Sequence, residues 1–175
     1  RTPTGVAPAA LAPDLIVPMS TTGEPLSETV IPSSEWRFHC DIYRARAEVA
    51  AIVHVHSPYA TALSCHGRGI PAFHYMVAVA GGSDVRCASY ALFGSQALSN
   101  AALEALRERR ACLLANHGMI TLGDSVRSAI ALAVEVEALA RHYNLSRAFG
   151  EPAHLDEKQM AEVIERFKTY GKQHG

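Results

Sequence analysis

The sequence predicts a single α/β domain of the α+β type, with a central, mostly antiparallel β-sheet flanked by helices. Three observations point there. Of the 175 residues, 49% are hydrophobic and 19% are charged, a balance that suits one closed core. Short β-rich runs of strand length are interleaved with segments of helical periodicity. The order of elements is mixed and the second half is the more helical, which fits a sheet with helices packed on its faces.

Taken in order, residues 1–14 are rich in Pro, Ala, Thr and Gly and read as loop, and Leu15-Ile16-Val17 reads as a short strand. Residues 20–34 are polar and proline-containing, a loop or hairpin. Pro32-Ser33-Ser34-Glu35-Trp36 reads as a helix start with Ser as N-cap and an acidic first turn. Trp36, Cys40 and Tyr43 then follow at helical spacing. Glu48 to His56 is a strand ended by Ser57-Pro58, and Tyr59 to Ser64 a short helix. Ala72 to Ala80 reads as a strand stopped by Gly81-Gly82, and Val85 to Ala88 as another. Ser95 to Arg109 is helical, with Leu98, Ala102, Ala105 and Leu106 on one stripe. Ala111 to Ala115 is a buried strand, Asn116-His117-Gly118 a tight turn, and Met119 to Leu122 a further strand. Asp124 or Ser125 caps a long helix to about Leu145 that carries Val126, Ile130, Ala133 and Val134. A last helix begins near Asp156, with Met160, Val163, Ile164, Phe167 and Tyr170 three and four residues apart.

Composition removes several function classes. Sixteen basic against seventeen acidic residues give a net charge of −1, without the basic excess that nucleic acid requires. The apolar content excludes a disordered chain. No charge-free apolar run approaches the roughly 18 residues of a membrane span, and the first residues carry no signal-peptide pattern. Cys40, Cys65, Cys87 and Cys112 form no C-x-x-C pair, so we read them as reduced, mostly buried thiols of a cytoplasmic protein. The chain opens on Arg1 rather than Met, so further residues are expected upstream.

Candidate chemistry centres on His54-Val55-His56. On a strand, residues i and i+2 share a face, so the two imidazoles lie side by side. Such a pair is either two hydrogen-bonded core histidines or two ligands of a divalent metal, which removes their mutual repulsion. His117, in the turn after a strand, is either a turn residue or a third ligand. Three histidines at strand ends would leave one position open, as in catalytic zinc sites. Glu35 reads alone as a capping carboxylate. Ser33 and Ser34 beside it add hydroxyls and amides at a helix start, an anion site, and Thr4-Gly5 is a second hydroxyl-plus-glycine turn. Tyr75 and Tyr170 are core or interface residues, or acids. His39, His66, His74, His142, His154 and His174 have the surface or structural reading.

The segments PSSEWRFH (32–39), VHVHSPYATALS (53–64), FHYMVAVAGG (73–82), LLANHG (113–118) and FKTYG (167–171) resemble the class II aldolase and adducin family, over nearly the whole chain. The resemblance implies one Zn²⁺ per subunit held by His54, His56 and His117. Glu35 would ligate the ion in the empty site and act as general base once substrate displaces it. Phosphate would be held by Ser33, Ser34, Thr4 and Gly5, together with an asparagine in a loop upstream of Arg1. Tyr75 would donate a proton, and Tyr170 would reach the site of a neighbouring subunit in a homotetramer with sites at its interfaces. The implied reaction is the reversible cleavage of a phosphorylated sugar, a ketose 1-phosphate of the L-fuculose 1-phosphate type, to dihydroxyacetone phosphate and an aldehyde such as L-lactaldehyde. A free carboxylate, with a pKa of about 4.3, is too weak a base for this carbon acid unless a metal also acidifies it. No Schiff-base lysine is needed, in keeping with the three lysines, Lys158, Lys168 and Lys172, all near the C-terminal end. Aldolases of 5-deoxy- or methylthio-pentulose phosphates and decarboxylases of oxo-acid phosphates share much of this pattern. The 4-epimerase branch typically has Asp where Glu35 stands, and a non-catalytic adducin-like scaffold would lack the metal histidines.

Overall fold

Among the residues described by the computed structural model (2–26 and 30–169), four strands form one mixed sheet in the order β1-β4-β3-β2. These are β1 (Ala51–Val55), β2 (Arg86–Ala88), β3 (Ala111–Leu114) and β4 (Gly118–Gly123). β4 runs antiparallel to both β1 and β3, while β2 runs parallel to β3. The sheet is therefore mostly antiparallel, as predicted. Every residue of β3 and β4 is buried, which is why both read as continuous apolar runs rather than alternating ones.

Five α-helices cover this sheet: α1 (Trp36–Ala45), α2 (Pro58–Ser64), α3 (Gln96–Ala105), α4 (Val126–Ser146) and α5 (Glu157–Phe167). Their starts are set by local chemistry. Ser95 accepts the Leu98 amide, and Ser125 and Asp156 form capping boxes with Ser128 and Gln159. Strand pleating sends alternate side chains to opposite faces. Leu113 and Met119 meet α2, α4 and Met160 of α5 on one face. Cys112, Leu114, Ile120 and Leu122 meet Phe38 and Ile42 of α1 and Leu98 and Ala102 of α3 on the other.

Several expected elements differ. Leu15-Ile16-Val17 is not a strand: Pro13–Leu15 is a 3₁₀ turn, because Pro13 presets a helical φ and Pro18 has no N–H for a ladder. Ala72 to Ala80 is not a strand either. Tyr75–Ala80 is a 3₁₀ helix capped by the His74 side chain and closed by Gly81 at φ +92°. Its apolar run is buried against α4 and α5 rather than paired, a case in which periodicity cannot separate strand from helix. α1 starts one or two residues later than expected, with Glu35 itself at the N-cap, its amide donating to Ser33 Oγ at 3.4 Å. Its buried stripe is Phe38 and Ile42 rather than Trp36 and Tyr43. On α4, Val126, Ile130 and Val134 face outwards, while Leu132, Val136 and Leu139 fill the core. Cys65 is exposed, unlike the buried Cys40 and Cys112. Burial pushes the Cys87 thiol up to about 11 and also raises Cys112.

The α1–α3 contact is tied by Asp41, whose buried carboxylate accepts from Ser99 and from Gln96 Nε2 at 2.7 Å and pairs with Arg44. Burial raises the Asp41 pKa, but Ser99, Gln96 and Arg44 outweigh it and hold the group below the ordinary Asp range. A depressed folded pKa adds stability above the unfolded value, lost as pH falls through the folded one. Asp41→Asn is expected to lower unfolding free energy by about 1–3 kcal/mol at neutral pH and to flatten the acid limb of stability. Urea midpoints measured from pH 3 to 7 check this, and identical midpoints for the two proteins would contradict it. At the β1–β4 edge, a Cβ on Gly118 would lie 2.5 Å from the Val55 carbonyl oxygen and 2.8 Å from His56 Cδ2. Gly118→Ala is therefore expected to cost about 1–3 kcal/mol and to displace His56, visible as a lower melting temperature and a shifted His56 NMR resonance.

Candidate metal centre

The antiparallel register of β1 on β4 pairs His54 with Ile120 and Val55 with Met119. This brings the H-x-H strand end beside the turn that opens β4. In that turn Asn116 takes φ +57°, a left-handed conformation that Asn tolerates. The Asn116 amide donates to the Ser64 carbonyl at 3.0 Å and the His117 amide to the Leu114 carbonyl at 3.0 Å. The end of α2 thus holds the turn, and His117 faces the two strand histidines. The glycine requirement at Gly118 comes from close packing against β1, while Asn116 supplies the positive φ.

Glu35 comes from the start of α1, the helix that covers the sheet face to which His54 points. The Trp36 amide donates to the Ser33 carbonyl at 3.2 Å, and the Ser34 carbonyl packs against Gly94, where a Cβ would come within 2.9 Å. Glu35 Oε2 lies 2.9 Å from His54 Nε2, and Oε1 lies 3.0 Å from His117 Nε2. His56 Nε2 lies 3.1 Å from His54 Nε2. One ligand atom from each of Glu35, His54, His56 and His117 falls within 4.8 Å of the others.

The donor chemistry fits a cation. His54 Nδ1 donates to the Met119 carbonyl at 2.9 Å, which leaves Nε2 as the ring atom that faces Glu35 and His56. Buried Glu35 Oε1 is close to His117 but lacks a hydrogen bond of good alignment. Several lone pairs thus converge on one region, which a divalent ion satisfies better than shared protons. Burial raises the Glu35 pKa, but the imidazoles of His117 and His54, 3.0 and 2.9 Å from its oxygens, outweigh it and hold the carboxyl far below the ordinary range. Burial, with His54 and His117 beside it, lowers the His56 pKa, a shift toward the neutral form that a metal ligand needs.

A cleft of about 390 Å³ opens over these groups, lined by Ser33, Ser34, Glu35, His56 and His117 together with Tyr90, Phe93 and Asn116. The Thr4-Gly5 turn lies next to the serine segment: Thr4 donates its amide to the Ile31 carbonyl, and Ser33 donates to that of Thr2. Tyr75 is elsewhere. It is 48% exposed and borders a surface groove with Leu155, Val163 and Arg166 of the α5 region. Tyr170 lies outside the described residues. Tyr90 and Phe93 were not singled out from the sequence, because isolated aromatics in a loop carry no periodic or spacing signal.

Comparison with known proteins places this geometry in a family. The class II aldolase and adducin N-terminal domain matches residues 1–144. The 5-methylthioribulose-1-phosphate/5-deoxyribulose-1-phosphate aldolase of Rhodospirillum rubrum is 52% identical over 170 residues, covering 97% of this chain and 76% of that protein. The L-fuculose phosphate aldolase of Escherichia coli (strain K12) is 43% identical over 171 residues, covering 97% and 79%. A solved L-fuculose 1-phosphate aldolase superimposes with a TM-score of 0.91 at 41% identity, over 95% of this chain and 78% of that one. The chain belongs to the class II aldolase and adducin family, and within it is a class II aldolase, a lyase.

Proposed function

We propose that this protein is a zinc-dependent aldolase that reversibly cleaves a ketose 1-phosphate to dihydroxyacetone phosphate and an aldehyde. The observation that carries the reading is the convergence of three imidazoles and one carboxylate with ligand atoms within 4.8 Å. His54, His56 and His117 would hold one Zn²⁺ per subunit, with Glu35 as the exchangeable fourth ligand. When bound, the ion supplies Lewis acidity that makes the carbon next to a ketone easier to deprotonate.

Glu35 is the base. In the synthesis direction it takes a proton from dihydroxyacetone phosphate, and in cleavage it returns one. Moving away from His54 and His117 removes the contacts that depress its pKa, so its basicity rises when substrate enters. Ser33 and Ser34 hold the phosphate with hydroxyls and amides at the start of α1, with Thr4 and Gly5 alongside. Tyr75 opens on a groove away from its own cleft, so its service as proton donor calls for a neighbouring subunit, and Tyr170 is assigned there too. The exposed apolar row Val126, Ile130 and Val134 on α4 supports self-association, read as a homotetramer with sites at its interfaces. Cysteines without a disulfide among the described residues suit the cytoplasm.

For the aldehyde portion, the aromatic wall of Tyr90 and Phe93 and the 52% identical relative favour a 5-deoxy- or 5-methylthio-pentulose 1-phosphate. Cleavage of C3–C4 there would release acetaldehyde or methylthioacetaldehyde. The 43% identical relative supports L-fuculose 1-phosphate, which would release L-lactaldehyde.

His56→Ala is expected to lose zinc binding and aldol cleavage together, with the far-UV spectrum kept. Glu35→Gln is expected to retain zinc while turnover falls by about 10²–10⁴-fold. Metal analysis paired with turnover checks both, and an active His56→Ala protein would overturn the metal role. Assayed on 5-deoxyribulose, 5-methylthioribulose and L-fuculose 1-phosphates, the protein should release dihydroxyacetone phosphate, lose activity to a chelator and regain it with Zn²⁺. No turnover on any of the three would refute the assignment.

A further inference from the structure

We infer that Glu137 is a positioning residue that aims the metal ligand His56 by pinning the chain directly after it. The inference rests on the metal-site reading above. His56 lies one residue beyond the last β1–β4 pair, Val55 with Met119, so the sheet ladder does not hold its backbone. Its ring is also less tethered than that of His54. His54 Nδ1 is fixed by the Met119 carbonyl, whereas the hydrogen-bond partner of His56 among the described residues is His54 itself. The direction of the His56 side chain therefore depends on the course of residues 56–60.

That course is set from α4. The Ser57 hydroxyl donates to Glu137 Oε2 at 2.7 Å, the Tyr59 amide to Oε1 at 2.8 Å and the Ala60 amide to Oε2 at 2.9 Å. Pro58 has no N–H, so Tyr59 and Ala60 carry the first amides of α2. Ser57 occupies the N-cap position but makes no cap bond of its own. A carboxylate 80 residues away does that work instead, with both oxygens engaged and with charge-assisted bonds. Two more α4 residues, at helical spacing from Glu137, hold the same segment. Asn144 Nδ2 donates to the Tyr59 carbonyl at 3.2 Å, and the Arg141 guanidinium lies 5.7 Å from the centre of the Tyr59 ring.

α4 is also bonded to the strand that follows His117, since Thr121 Oγ1 donates to the Ala129 carbonyl at 2.9 Å. Both ligand-bearing segments, 54–56 and 117–119, are thus referenced to one helix. Groups that orient metal ligands typically change metal affinity by 10–100-fold when removed. Glu137 acts through the backbone rather than on the ring, which places its effect at the low end, about tenfold.

The test uses the full-length protein loaded with Zn²⁺ or Co²⁺. Glu137→Gln keeps the volume but cannot accept at both ends. It is expected to raise the zinc Kd about tenfold in a chelator competition and to shift the visible absorption bands of the Co²⁺ form. Ser125→Ala, which removes the α4 N-cap away from the turn, is expected to lower the melting temperature and leave Kd and spectrum unchanged. A wild-type Kd and spectrum for Glu137→Gln, or equal changes in Ser125→Ala, would overturn the inference. If Glu137→Gln does not fold, Ser57→Ala takes its place, with a smaller rise in Kd expected and no rise overturning it. Failure of the wild-type protein to bind Zn²⁺ would instead refute the metal-site reading.

Discussion

The pairing of Val55 with Met119 at the open end of the β1–β4 ladder is the contact on which the candidate centre depends. It brings two chain segments more than sixty residues apart to the same sheet edge, and the Met119 carbonyl then fixes the ring of His54 at 2.9 Å. Around this pair the packing is tight enough that Gly118 has no room for a methyl group. A slip of one residue would turn His54 and His56 to the opposite face. The fully buried runs of β3 and β4, with a core on each side, make such a slip costly.

The centre itself is electrostatically demanding. Three imidazoles and a carboxylate converge, and a second carboxylate, Glu137, holds the exit of the strand. Groups of this kind need partners when desolvated. Glu35 takes His54 and His117, and Glu137 takes a hydroxyl and two amides. The surrounding scaffold is well capped: Ser125 and Asp156 close the starts of α4 and α5, and Asp41 ties α1 to α3. The elements that deliver the ligands are therefore anchored apart from any ion.

Phosphate recognition in a chain of net charge −1 would rest on local donors rather than a basic surface. Ser33 and Ser34 sit on the wall of the cleft, and the Thr4-Gly5 turn is joined to them through the short Pro3–Pro32 bridge. Tyr90 and Phe93 add an aromatic lining to the same cleft that would suit an apolar aldehyde tail. Tyr75 opens on a separate groove, so the proton-donor role proposed for it would need a second copy of the chain.

Periodicity and spacing were enough for the helices with strong caps, for the buried strands, and for the H-x-H and N-H-G pieces taken one at a time, because those signals are local. Motif order then identified the family and named Glu35, His54, His56 and His117. The same local signals misassigned 72–80, an apolar run buried as a 3₁₀ helix, and 15–17, where Pro13 sets a 3₁₀ turn and Pro18 removes a ladder donor. On α4 they did not separate the exposed Val126, Ile130 and Val134 from the buried Leu132, Val136 and Leu139, since that helix is apolar on more than one side. Tertiary structure alone decided that the four candidate ligand atoms meet, that Tyr90 and Phe93 join their cleft while Tyr75 does not, and that Glu137 binds the segment after His56. Each of these is a contact between residues distant in sequence, set by strand register and by helices docking across the sheet, and no local pattern encodes it.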